Sequence, residues 1–189
     1  MSELDGNKGY LRLAAGSGAL LLAASAVTFA ESNPSAVLRE RLASNVRLSD
    51  SARAGAVHKA LLGAFDSLGD ARCQEIFSDF TDASGQKLQE KLDALGETGQ
   101  SYLGKLVLFY EGSGSRACHS SKGDDVSAAT ATGSRVVFIC GANFAQGRRP
   151  KPFGPEAVII HETLHSLGLG ENPPTSDSIT WKVFSRCAR

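Results

Sequence analysis

From Asp50 onward the chain falls into a helical rhythm. Ala52, Ala56, His58, Leu61, Leu62, Phe65 and Leu68 recur near 3.6-residue spacing and so share one face. Ser49 or Asp50 supplies the N-cap and Gly69 the stop; His58 reads as a surface or half-buried residue of this helix. Glu75 to Phe80 predicts a short strand. Gly85 to Leu95 predicts a second helix, with Leu88, Leu92 and Leu95 on one face and Gly96 ending it. Leu103 to Tyr110 and Arg135 to Cys140 predict two strands. The stretch between them, Glu111 to Ser134, is rich in Gly, Ser, Thr and Asp, and a loop of that length is usually functional or mobile. Two helices follow. One starts at Gly154-Pro155-Glu156, where proline suits the first turn and glutamate the positive end of the dipole, and runs to about Leu167 before Gly168. The last spans about Ser176 to Arg186, capped by Thr175 or Ser176. Together these elements predict an α+β domain: a small, mostly antiparallel sheet packed against the helix beginning at Pro155, with two or three further helices.

The first thirty residues follow a different pattern. Lys8 and Arg12 precede an uncharged run, Leu13 to Ala30, of mostly small and aliphatic residues. This is the layout of a secretory signal, with Thr28-Phe29-Ala30 offering small side chains before a cleavage point and Ala24-Ser25-Ala26 a second one. Residues 1–30 are therefore expected to be a signal peptide and 31–49 a linker, N-terminal extension or loosely packed first helix. Residues 50–189 form the folded domain, exported and without a stable membrane span once the signal is removed. Four cysteines remain, Cys73, Cys118, Cys140 and Cys187, with no Cys-x-x-Cys pair. An even number in an exported chain reads as two disulfides. Sequence permits three pairings; Cys118 with Cys140, which flank one loop, and Cys73 with Cys187, which pins the C-terminus, are preferred. Twenty basic and twenty acidic residues cancel, so no electrostatic footprint for nucleic acid or an anionic membrane exists.

The chemistry concentrates in residues 161–171, His-Glu-Thr-Leu-His-Ser-Leu-Gly-Leu-Gly-Glu. Two histidines four apart lie one turn apart on one helix face, so both imidazoles can reach one zinc ion. Glu162 lies beside the first ligand, where it can take the proton of a water acidified by the metal and pass it to a leaving amine. Catalytic zinc sites use three protein ligands. Beyond His165 the carboxylates are Glu171 and Asp177. Gly168 can adopt a positive φ and end the helix sharply, swinging Glu171 back toward the metal. Glu171 is the expected third ligand and Asp177 the reserve; Glu111, His119, Asp124 and Asp125 in the long loop are weaker candidates.

At these residues the chain resembles the zincin metallopeptidases. Its His-Glu-x-x-His-x-x-Gly-x-x-Glu is similar to the metzincin signature, which usually ends in histidine, or in aspartate in snapalysin-like secreted bacterial enzymes. The string after His165 also looks like that of uncharacterised exported bacterial zincin-like proteins. Matched position by position, the resemblance implies His161, His165 and Glu171 as zinc ligands and Glu162 as general base. It implies hydrolysis of a peptide or protein substrate, with Leu103–Tyr110 or Arg135–Cys140 as the strand that pairs with it, and Tyr110 or His119 as candidate oxyanion stabilisers. The chain departs from metzincins in having no methionine beyond Met1. The competing readings are a zincin-shaped binding protein without catalysis and a zinc amidase acting on a non-protein amide.

Overall fold

The structure is a computed structural model describing residues 33–112, 114–119, 126–141, 144 and 153–188. The signal-peptide assignment, Asp124 and Asp125 lie outside these residues.

The chain begins with α1 (Pro34–Ser44), whose N-cap Asn33 side chain accepts from the Ser35 amide. It packs on α6 and α2, and β1 (Val46–Arg47) follows it directly into the sheet, so the segment expected to be a linker or loose helix is part of the fold. Next comes α2 (Ser51–Ser67), capped by Asp50, whose side chain accepts from the Arg53 amide. Val57, Ala60, Leu61, Ala64 and Phe65 form its buried face. Two short helices, α3 (Ala71–Gln74) and α4 (Ile76–Asp79), occupy the place of the expected strand at Glu75–Phe80. Ile76 and Phe77 are both fully buried; in a strand, neighbours point to opposite faces, whereas a helical turn against the core takes both.

Helix α5 (Leu88–Leu95) buries Leu88 and Leu92 and ends at Gly96 in the left-handed conformation. Helix α6 (Gly99–Leu106) was not expected. A capping box of Thr98 and Ser101 starts it and consumes Leu103 and Leu106 from the apolar run assigned to a strand. Only the end of that run is extended, as β2 (Leu108–Glu111). A single 3-10 turn (Arg116–Cys118), β3 (Ala128–Thr130) and β4 (Val136–Ile139) complete the sheet, and α7 (Pro155–Ser166) and α8 (Ser176–Cys187) close the chain.

The fold is α+β, with a four-stranded sheet in the order β1-β2-β4-β3. The sheet corrects the expectation of mostly antiparallel pairing. β1 runs parallel to β2 (Val46 beside Phe109) and β2 parallel to β4 (Phe109 beside Val137); only β3 is antiparallel, Ala128 facing Ile139 on β4. Phe109, Val137 and Ile139 point into the core. The long connections that parallel pairing demands are supplied by α2 to α6 between β1 and β2, and by the 3-10 turn, β3 and their loops between β2 and β4.

Helix α7 runs through the middle of the molecule, buried without interruption from Val158 to Ser166. It packs against α2, α8 and β3. At the α2 crossing a side chain on Gly63 would meet the stem of Glu156 at 2.5 Å, so the missing Cβ permits that approach. Both disulfides take the preferred pairing: Cys73–Cys187 joins α3 to the end of α8, and Cys118–Cys140 joins the 3-10 turn to the end of β4. Arg186 reinforces the first by pairing with Asp79 at 2.7 Å and with Glu75.

Candidate metal centre

The turn that ends α7 builds the site. Gly168 has φ 111°, a conformation L-residues rarely adopt. The Leu169 amide then bonds back to the Leu164 carbonyl at 3.1 Å, the six-to-one closure of a Schellman cap. Two things follow. The Leu169 carbonyl lands 2.7 Å from His165 Nδ1, and Glu171 returns alongside the helix it has just left. His165 Nε2 lies 2.9 Å from His161 Nε2 and 3.2 Å from Glu171 Oε1, and the third edge, His161 Nε2 to Glu171 Oε1, is 3.6 Å.

These residues fit a metal ion on two counts. Geometrically, an ion with tetrahedral bonds of about 2.0–2.1 Å holds its donors about 3.3 Å apart, and the three edges straddle that value. Electronically, the proton positions are fixed from behind. A carbonyl only accepts, so His165 donates from Nδ1 to Leu169 and presents a bare Nε2 lone pair. The Thr180 hydroxyl gives its hydrogen to the Ser176 carbonyl at 3.0 Å, so His161 donates from Nδ1 to Thr180 Oγ1, also at 3.0 Å. Its Nε2 is therefore bare as well. Two lone pairs and a carboxylate oxygen converge with no hydrogen between them, an arrangement that repels itself until a cation enters. The group His161, His165 and Glu171 could thus hold a metal ion.

Burial divides the site into a rigid and an open side. The two imidazole side chains are 6% and 8% exposed, whereas Glu171 is 38% exposed, so access comes from the Glu171 side. The Ser176 hydroxyl adds a hydrogen bond to the Glu171 carboxylate from the first turn of α8. Glu162 is buried, and its Oε2 has no hydrogen-bond partner. A buried carboxylate oxygen left unpaired costs several kcal/mol unless something arrives to meet it.

Of the sequence candidates, His161, His165 and Glu171 are brought together and Asp177 is not: it stands exposed in the first turn of α8. Glu111 is engaged with Arg53 at 2.9 Å, and His58 sits half-buried on α2. Neither Tyr110 nor His119 forms a hydrogen bond with a site residue among the described residues, and Tyr110 is an exposed position on β2. The expected substrate-pairing strands are corrected too: β2 and β4 are interior, flanked on both sides, and the strand at the sheet edge beside α7 is β3. Sequence reasoning missed Ser176 and Thr180. Their signal was the four-residue spacing that sets two hydroxyls on one face of the last helix.

No family model, curated protein or solved structure matches the chain.

Proposed function

We propose that the chain is an exported zinc metallopeptidase with a zincin-like active helix, in which His161, His165 and Glu171 hold zinc and Glu162 is the general base. The observation that carries this reading is Glu162: a buried carboxylate with an unpartnered oxygen, next in sequence to a donor of the metal-capable group. A purely structural zinc site has four protein ligands and no use for a base. Two imidazoles and one carboxylate favour zinc among common divalent ions, with a position left for water. Zinc bound there supplies a Lewis acid that polarises a carbonyl and acidifies water. Glu162 accepts the proton of the attacking water and delivers it to the leaving amine. The Leu169 carbonyl and Thr180 keep both imidazoles in the tautomer that ligation needs. An extended substrate pairs with the outer edge of β3, which lies against α7. Export agrees with the two disulfides, which persist in oxidising compartments. No helix among the described residues is long and apolar enough to cross a membrane.

The test is to purify the chain from an oxidising compartment, measure its zinc content, and present a mixed peptide library to wild type and Glu162→Gln. Cleavage by wild type alone, with zinc bound to both, is the expected result. Full zinc loading without cleavage of any peptide would move the assignment to a binding protein or to a non-peptide amide. Failure to bind zinc refutes the reading altogether.

A further inference from the structure

A concavity lies where α5, α6, the β3–β4 turn and the end of α7 meet. Its volume is about 330 Å³, and its walls include Lys91, Leu95, Tyr102, Gly133, Arg135 and Leu167. None of the three metal donors lines it, and neither does any carboxylate. A water's share of liquid volume is about 30 Å³, so the space suits a body of about ten non-hydrogen atoms.

The wall chemistry is asymmetric. The accessible apolar surface is Leu95, a large hydrophobic side chain left 45% exposed, over a floor of the buried Tyr102 and Leu167. Lys91 is already committed, its Nζ lying 2.7 Å from Asp82 Oδ2. Arg135 is different: it is exposed at the rim, and its side chain makes no ion pair or hydrogen bond among the described residues. Tyr102 is fully buried, with its hydroxyl on the Ser166 carbonyl at 3.2 Å, and the Gly133 amide donates to the His165 carbonyl at 2.8 Å. These bonds tie two walls to the backbone of α7, so the cavity is preformed.

We propose that this cavity binds a small monocarboxylate with an apolar body of about ten non-hydrogen atoms. The carboxylate takes the planar fork of Arg135, which matches it with two parallel hydrogen bonds, and the body covers the exposed Leu95. The site is separate from the donor triangle, so it fills whether or not metal is present and stands independently of the peptidase reading.

Octanoate is the probe, titrated calorimetrically into the full chain with both disulfides formed, once after metal removal and once loaded with zinc. Saturable binding of one octanoate per chain is expected in both forms, with octylammonium failing to bind. Arg135→Ala is expected to weaken octanoate by about tenfold or more, the scale of losing charge-assisted hydrogen bonds. Leu95→Glu, at an exposed position that folding tolerates, is expected to abolish binding by placing a carboxylate against Arg135. Absence of saturable binding overturns the proposal. So does octylammonium binding as well as octanoate, or either variant retaining wild-type affinity.

Discussion

Replacing Thr180 by Val tests whether the metal site is built from behind. The two side chains have the same branched shape, and position 180 is 2% exposed, so packing is kept while one hydroxyl is lost. In the wild type that hydroxyl accepts from His161 Nδ1 at 3.0 Å. Without metal, the variant imidazole can escape by moving its proton to Nε2, where Glu171 Oε1 lies 3.6 Å away. Metal binding forbids that escape, because Nε2 must offer its lone pair, and a buried Nδ1–H is left unpaired. An orphaned buried donor costs about 1–3 kcal/mol. At about 1.4 kcal/mol per factor of ten, this is a loss of about 5- to 140-fold in zinc affinity. That range brackets the roughly 10- to 100-fold typical of partners that orient metal-binding histidines. The assay is competition with a chromophoric chelator at fixed pH near neutrality, alongside the melting temperature of the metal-free protein. Thr180→Ser keeps the hydroxyl and should bind like wild type. A folded Thr180→Val protein with wild-type zinc affinity would refute the argument, because the His161 tautomer would then not depend on Thr180.

Further outcomes follow from the same geometry. Gly168→Ala puts a methyl 2.7 Å from Lys91 Nζ at a φ of 111°; urea denaturation of the metal-free protein should show a loss of about 1–3 kcal/mol, and zinc affinity should fall with it because Glu171 depends on this turn. The paired change Cys73→Ser and Cys187→Ser opens a closure of 114 residues and should cost about 2–5 kcal/mol by the same method, with weaker zinc binding because α8 carries Thr180. Asp79 is held below its ordinary value of 3.8 chiefly by its hydrogen bonds from Arg186, against the opposing cost of burial. A depressed carboxyl stabilises the fold above its unfolded pKa and ceases to do so as pH falls through the folded one. Asp79→Asn should therefore lower the melting temperature near neutrality, and the gap to wild type should close on acidification below about 3.8. A gap that is independent of pH would mean that the Asp79–Arg186 pair does not carry the effect.

The segments legible in the sequence were those whose signal is local. Asp50 capping α2, Pro155 and Glu156 opening α7, and Thr175 opening α8 act within one turn of the chain, so each could be read where it stands. The metal group was legible for the same reason. The four-residue spacing of His161 and His165 fixes their common face, and the freedom of Gly168 to adopt a positive φ brings Glu171 back within three residues. What the sequence left ambiguous were apolar runs without periodicity. Ile76-Phe77 is buried whole and Leu103, Val107 and Phe109 of the second run are buried too, and such a run suits a helix against a core as well as a strand within a sheet. A capping box at Thr98 decided the second case, and the packed turns around Asp70 and Glu75 the first. Strand direction was beyond local reading, because the parallel pairing of β1 with β2 depends on how five intervening helices route the chain, and that of β2 with β4 on how β3 and its flanking loops do. So was the support of the site. The chain itself determines that two imidazoles and a carboxylate meet. Tertiary packing alone decides which nitrogen of His161 faces the other two donors, because Thr180 reaches it from another helix, nineteen residues on and pinned by a disulfide to a third.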